Sequence, residues 1–316
     1  MSVPYLLRRV GLALVVLWAA WTVSFVVLYL LPGDPVATMA GGASDGEPVS
    51  PAELAALRAR YGLDQPVLVQ YGQKLAAALH GDLGTSFATG EPVSSAIGRV
   101  LPKTLQIAGA GLAVAVVGGT VVAVAATWTR RRWLAQLLGS LPSLAVSLPV
   151  FWVGLMLVQL FSFTLGWLPS VGARGPAALV MPAIALGLPT GALIAQVLAR
   201  SLQTALGSSY VTTARAKGAG PAAVHLVHAL GNAAIPALTV LGYVVGNLLA
   251  GTVVVETVFT RPGLGRLTVS SVGLQDIPVV QGVVLFASLV FVLVNLLVDL
   301  VYPLLDPRVL VHGGTR

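Results

Sequence analysis

Apolar residues in this chain come in long unbroken runs, and polar residues fall almost entirely between them. The first run goes from Val10 to Leu31. It holds about 22 residues, or about 33 Å as a helix, enough to cross a hydrocarbon core of about 30 Å. Five more runs follow, at about 104–127, 134–163, 177–198, 235–258 and 279–302. The pattern predicts an all-α integral membrane protein with six transmembrane helices. Pro142 and Pro149 in the third run, and Pro182 and Pro189 in the fourth, predict kinks whose freed carbonyls are satisfied by neighbouring helices. Small residues at Ala37 and Ala40 could mark a signal-peptide cleavage site. A signal core spans only about 7–15 residues, however, so a retained first span is expected.

Two polar stretches stand out. From Pro32 to Lys103 the chain carries seven of its eleven acidic residues and is polar enough for water. Ser50-Pro51-Ala52-Glu53 reads as a capping box with proline at the first helical position. The helix it opens should run to Tyr61, stop at Gly62, and place Leu54, Leu57 and Tyr61 on one face. A second helix is expected from about Pro66 to His80, with Val67, Tyr71 and Leu75 four apart and Gly81 as its stop. The other stretch, Ser209 to Pro236, predicts a short helix, a break and a second helix. Ser209 suits the N-cap, Arg215 and Lys217 suit the last turn, and Gly218 suits a left-handed C-terminal residue. Gly220 and Pro221 then open the next helix. The first of these helices has about two turns, far too few to span a bilayer.

Composition narrows the class further. The 316 residues are 56% hydrophobic and only 9% charged, too few charges to cover a soluble surface, where about 25% is usual. The absence of cysteine removes disulfides, thiolate nucleophiles and Cys-bound metal sites. The net charge of +7 does not indicate a nucleic-acid partner. The cations Arg8, Arg9, Arg130, Arg131, Arg132, Arg200, Arg215, Lys217 and Arg308 sit at the ends of apolar runs, the positive-inside pattern. It predicts both termini on the cytoplasmic side and anionic lipid headgroups as neighbours.

Candidate chemistry is sparse. His225 and His228, three apart, should share a helix face beside the short helix, where packing or solvent contact is preferred to metal binding. His80 and His312 have no carboxylate at metal-ligand spacing. Glu256 and Asp299 are the ionisable residues within spans, each toward an end, which does not suit a mid-membrane proton relay. No Walker A sequence is present, so the chain itself should bind no ATP; no G-x-S-x-G or His–carboxylate pairing supports a catalytic, cofactor or metal site either. Gln196 and Asn247 could line a pathway, or bond one helix to another.

Ser209-Tyr210-Val211-Thr212-Thr213-Ala214-Arg215-Ala216-Lys217-Gly218 resembles the cytoplasmic coupling loop of ABC-importer permeases. The likeness is greatest to the peptide/nickel branch, whose loop runs Y-V-x-T-A-R-A-K-G. The acidic residue that names the loop is absent, and Thr212 falls near its place. Other landmarks resemble the same branch in the same order: Leu31 to Pro35 (L-P-G-D-P), Gly81 to Ser86 (G-D-L-G-T-S), Gly166 to Pro169 (G-W-L-P), Pro262 to Leu267 (P-G-L-G-R-L) and Asp306-Pro307-Arg308. The resemblance implies a type I importer permease fold. Its segments would be an N-terminal tail and first span (1–31), an external insertion (32–103), a five-helix core (104–308) with its coupling loop at 201–234, and a tail (309–316). It further implies a second permease subunit, two cytoplasmic ATPases holding ATP and Mg, and an external substrate-binding protein. That protein would be met by Arg261, Pro262, Gly263, Leu264, Gly265 and Arg266, unless this segment is a plain turn. Di- or oligopeptide is the expected cargo. Nickel chelate, glutathione or haem in the same family, an ATP-independent secondary transporter, and a membrane scaffold or sensor are the alternatives.

Overall fold

The computed structural model describes residues 3–30, 50–169 and 175–305. Among them are long helices, a few short ones and a single isolated bridge, Thr85 to Pro92. The chain divides into two compact units, Met1–Lys103 with Pro262–Val292, and Thr104–Arg261 with Leu293–Arg316.

In the first unit, α1 (Val3–Leu30) carries the first span. The helices α2 (Pro51–Arg60) and α3 (Val67–Leu79) also match the sequence reading. Gly62 and Gly81 stop them at φ +65° and +85°, conformations that only glycine adopts at little cost. Val67 is nonetheless exposed, and Gln70 is the buried residue of α3. Tyr71 of α3 shares a hydrogen bond of 2.8 Å with Thr22 of α1. The short α10 (Leu264–Gly273) packs Leu264 and Leu267 against a cluster of Val93, Ile97, Val279 and Val283.

The long helices α4 (Val93–Trp128), α7 (Ala177–Leu206), α9 (Leu230–Val258) and α11 (Ile277–Leu305) supply four further spans. Three of them depart from the predicted bounds. α4 begins eleven residues before Thr104 because Pro102 sits inside it rather than at its start. α7 continues past Arg200 to Leu206. A π-helical turn, Ala223–Ala229, leads directly into α9. The expected second helix of the polar stretch and the fifth span are therefore one helix, which Pro236 does not interrupt.

The remaining span is α5 (Arg132–Ser147) followed by α6 (Val150–Leu157) and its π-helical extension Val158–Thr164. The two parts meet at 104°, far beyond a kink. Leu148 is extended, at φ −85° and ψ 125°, because a residue before proline is driven out of the helical region, and Pro149 starts the new helix. Pro142, Pro182 and Pro189 stay within continuous helix. Five helices are long and apolar enough to cross a membrane, and the count is six when the bent pair is taken as one span.

The second unit is held by a glycine seam between α4 and α7. A Cβ on Gly119 would stand 2.5 Å from the Gly191 carbonyl oxygen, one on Gly187 2.6 Å from that of Gly111, and one on Gly191 2.9 Å from that of Ala115. Without a hydrophobic driving force in lipid, helices gain by close backbone approach, and small residues permit it. Beside the seam lies a core of Ile107, Met181, Leu186, Val244, Leu248 and Phe259. An alanine-rich cluster including Ala123, Leu202, Ala229 and Ala233 lies beside α7 and the π turn.

Candidate functional site

The two-turn helix is present as α8 (Ser209–Ala216). Its N-cap is Ser208, not Ser209, and Ser208 does not cap with its side chain. Its hydroxyl donates to the Thr204 carbonyl at 3.1 Å instead. The C-terminus closes as expected. Gly218 stands at φ +85°, its N–H donates to the Arg215 carbonyl at 2.9 Å, and the Ala219 N–H reaches the Ala214 carbonyl at 3.1 Å. This pair of bonds is a Schellman motif, which satisfies carbonyls that a helix end leaves open.

One residue ties the element down. Val211 is fully buried, while Tyr210, Thr212, Thr213, Arg215, Ala216 and Lys217 are exposed and Ala214 is half-buried. A helix this short is marginal alone, so its position is set by the Val211 anchor and the glycine turn. What it exposes is a polar knob with cations at its carbonyl end.

Behind the knob is a cavity of about 370 Å³, lined by Thr127, Trp128, Arg130, Arg215 and His225 among others. The Thr127 hydroxyl lies 2.9 Å from the Ala123 carbonyl and 3.0 Å from Nε2 of His225. Trp128 meets the imidazole edge-on at 5.1 Å. His225 is buried and His228 exposed, which corrects the expectation that they share a face. The intervening turn is π-helical, bonded i to i+5, so three residues no longer complete most of a turn. Among the described residues no cluster of His, Asp and Glu could hold a metal ion.

The other expected site residues are more dispersed. The Arg261 guanidinium donates to the Ala178 carbonyl at 2.9 Å. Gly263 and Gly265 are buried, Leu264 is half-buried, and Pro262 and Arg266 are exposed. The segment from Leu264 is helix rather than a glycine-proline turn. Gln196 is half-buried on α7. Asn247 is exposed on α9, its amide donating to the Tyr243 carbonyl at 3.3 Å. Glu256 is fully buried near the end of α9 and accepts the Thr104 hydroxyl at 2.7 Å. The L-P-G-D-P and D-P-R landmarks, the candidate cleavage site and His312 lie outside the described residues, as does the side chain of Asp299.

Asp276 is a site residue that sequence reasoning missed. Its buried carboxylate accepts the Ser86 hydroxyl and the backbone N–H groups of Phe87 (2.9 Å) and Ala88 (3.3 Å). The available signal was an isolated Asp just before the last apolar run, which reads only as a helix cap. Two strained residues were equally hidden. Thr260 and Gln275 stand at φ 51° and 53°, each closing a helix as Gly218 does. The Arg261 N–H bonds the Glu256 carbonyl at 2.8 Å, and the Asp276 N–H bonds the Ser271 carbonyl at 2.8 Å.

A bundle of apolar spans with an anchored polar knob has the architecture of an integral membrane protein. Residues 75–311 match the family described as the binding-protein-dependent transport system inner membrane component. Residues 2–108 match the N-terminal region of the same class of membrane component. The chain belongs to this family: it is a permease component of a binding-protein-dependent ABC importer. It is 39% identical to a peptide transport system permease protein of Brucella melitensis, covering 98% of this chain and 99% of that one. It is 40% identical to the glutathione transport system permease protein GsiC of Salmonella paratyphi A, and 35% identical to the dipeptide transport system permease protein DppB of Alkalihalophilus pseudofirmus. Each of these two alignments covers 96% of this chain and 98% of the relative.

Proposed function

We propose that this chain forms half of a pathway that carries di- or oligopeptides inward, and that α8 transmits the work of a cytoplasmic ATPase to the spans. The observation that carries this reading is the exposed two-turn helix, anchored by buried Val211 and closed by Gly218 in its left-handed conformation. ATP and Mg sit on two partner ATPases, a second permease subunit completes the pathway, and an external binding protein delivers the cargo. Both termini, Arg130–Arg132 and α8 face the cytoplasm, because positive residues are retained on that side. The insertion before Lys103 and the 260–273 segment face outward, where exposed Arg266, Val269 and Val272 meet the binding protein. Gln196 and Asn247 line the path.

Relatives named for peptides, a dipeptide and glutathione, itself a small peptide, support the cargo class. The test is uptake of labelled dipeptide and glutathione into vesicles holding the complete importer. We expect uptake that requires ATP and the binding protein and stops with vanadate. Uptake that persists without an ATPase makes the chain a secondary carrier and ends this reading.

A further inference from the structure

Trp21 on α1 and Gln281 on α11 are each 4% exposed, and each buries a hydrogen-bond donor with no acceptor among the described residues. These donors are the indole Nε1–H and the carboxamide Nε2. Native proteins seldom leave such groups unmatched. Both residues line one cavity of about 190 Å³, whose wall also carries Arg60, Tyr61, Lys74 and Asp82.

The wall is richer in donors and positive charge than in acceptors. Lys74 is half-buried, with its ammonium 5.8 Å from the Tyr29 ring centroid. Among the described residues no carboxylate pairs with it. Burial pushes its amine below the ordinary lysine range, as happens when no counter-charge offsets desolvation. Asp82 is the one carboxylate of the wall, and its Oδ1 accepts the Gly84 N–H at 2.8 Å, a bond internal to the turn. A group that only accepts, and brings one negative charge, answers the indole, the amide and the ammonium together. An ionised carboxylate does this, with two oxygens and about four lone-pair sites. Water could meet the N–H groups but leaves the charge. The volume falls below the roughly 300–1,000 Å³ of sites that enclose a whole ligand, so one small group enters rather than an entire peptide.

We infer that this cavity is a receptor site for a single carboxylate, held by Trp21, Gln281 and Lys74. The carboxylate comes from a peptide C-terminus or from an acidic side chain of the binding protein. That choice of sources, unlike the site itself, rests on the transport reading above.

The chain has three lysines, Lys74, Lys103 and Lys217, so acylation by an amine reagent can be followed at each by mass spectrometry. The probe is acetate, added to the assembled importer in phosphatidylcholine nanodiscs. Acetate should slow acylation of Lys74 several-fold relative to Lys103 and Lys217. Trp21→Phe, which keeps a ring but removes the N–H, should lose that protection. Protection by a dipeptide but not by its C-terminal amide identifies the peptide as source, and protection by the binding protein alone identifies the side chain. Absence of protection by acetate in the unaltered importer overturns the proposal. So does protection that appears only with phosphatidylglycerol in the disc, since the site would then hold a lipid phosphate. Vesicle uptake is measured on the same preparation, so failure of transport and failure of the site are read separately.

Discussion

Ser86 and Asp276, 190 residues apart in the chain, meet in a buried hydrogen bond that pins the glycine-rich turn to the start of α11. The Ser86 oxygen also accepts the Thr89 N–H at 3.0 Å, so the hydroxyl is used in both directions. Gln275, in its left-handed conformation, turns the chain so that Asp276 faces residues 86–88. The glycines of the turn serve geometry: Gly81 and Gly84 take φ +85° and +82°.

Removing the Asp276 carboxylate leaves one hydroxyl and two backbone N–H groups without their acceptor. Hydrogen bonds to a charged group contribute about 1.5–3 kcal/mol each and do not simply add. Asp276→Ala is expected to lower stability by roughly 3 kcal/mol, and Ser86→Ala by less. Thermal unfolding in detergent, with proteolysis mapped to residues 81–90, checks both. An unchanged midpoint for Asp276→Ala contradicts the pin.

A Cβ on Gly218 meets nothing within 4 Å, so any penalty there is conformational rather than steric. A β-branched residue at that positive φ costs roughly 1–2 kcal/mol, whereas asparagine tolerates it. Gly218→Val should therefore misplace α8, giving normal membrane amounts, weak ATPase co-purification and little uptake. Gly218→Asn should retain most uptake. Equal uptake by the valine variant at equal expression removes the coupling role from this loop.

The glycine seam predicts a contrast between neighbours. Gly119→Ala forces a methyl group against the Gly191 carbonyl, an overpacking that costs about 1–3 kcal/mol. Gly118→Ala, one residue away and with nothing within 4 Å, should be close to neutral. Unfolding midpoints of the two variants in detergent decide the matter, and equal values would mean that α4 and α7 do not touch there.

Topology can be read on single cysteines, because the chain has none of its own. Gln73→Cys should label from outside only, and Ala216→Cys from inside only. The reverse result inverts the orientation and takes α8 away from any cytoplasmic ATPase.

α10 exposes Val269 and Val272 while burying Gly265 and Ser271. Val272→Cys is expected to crosslink to the substrate-binding protein in at least one nucleotide state, and Leu264→Cys, half-buried, much less. Failure of Val272→Cys in every state places the docking surface elsewhere.

Sequence alone determined the membrane class, the number of spans and the place of the two-turn helix. These follow from run length, charge placement and glycine, which act locally and leave local marks. Gly62, Gly81 and Gly218 were legible because their conformation excludes most other residues. Tertiary structure decided what depends on a distant partner. Pro149 breaks its span while Pro142, Pro182 and Pro189 do not, because whether a proline is absorbed depends on what packs around the opened backbone. Thr260 and Gln275 take positive φ against their own preference, a strain that only the surrounding structure can impose. Asp276 looked like an ordinary cap until the fold brought Ser86 to it. The orphaned donors of Trp21 and Gln281 exist only once α1 and α11 enclose them, since burial, not residue type, turns an N–H into an unmet demand.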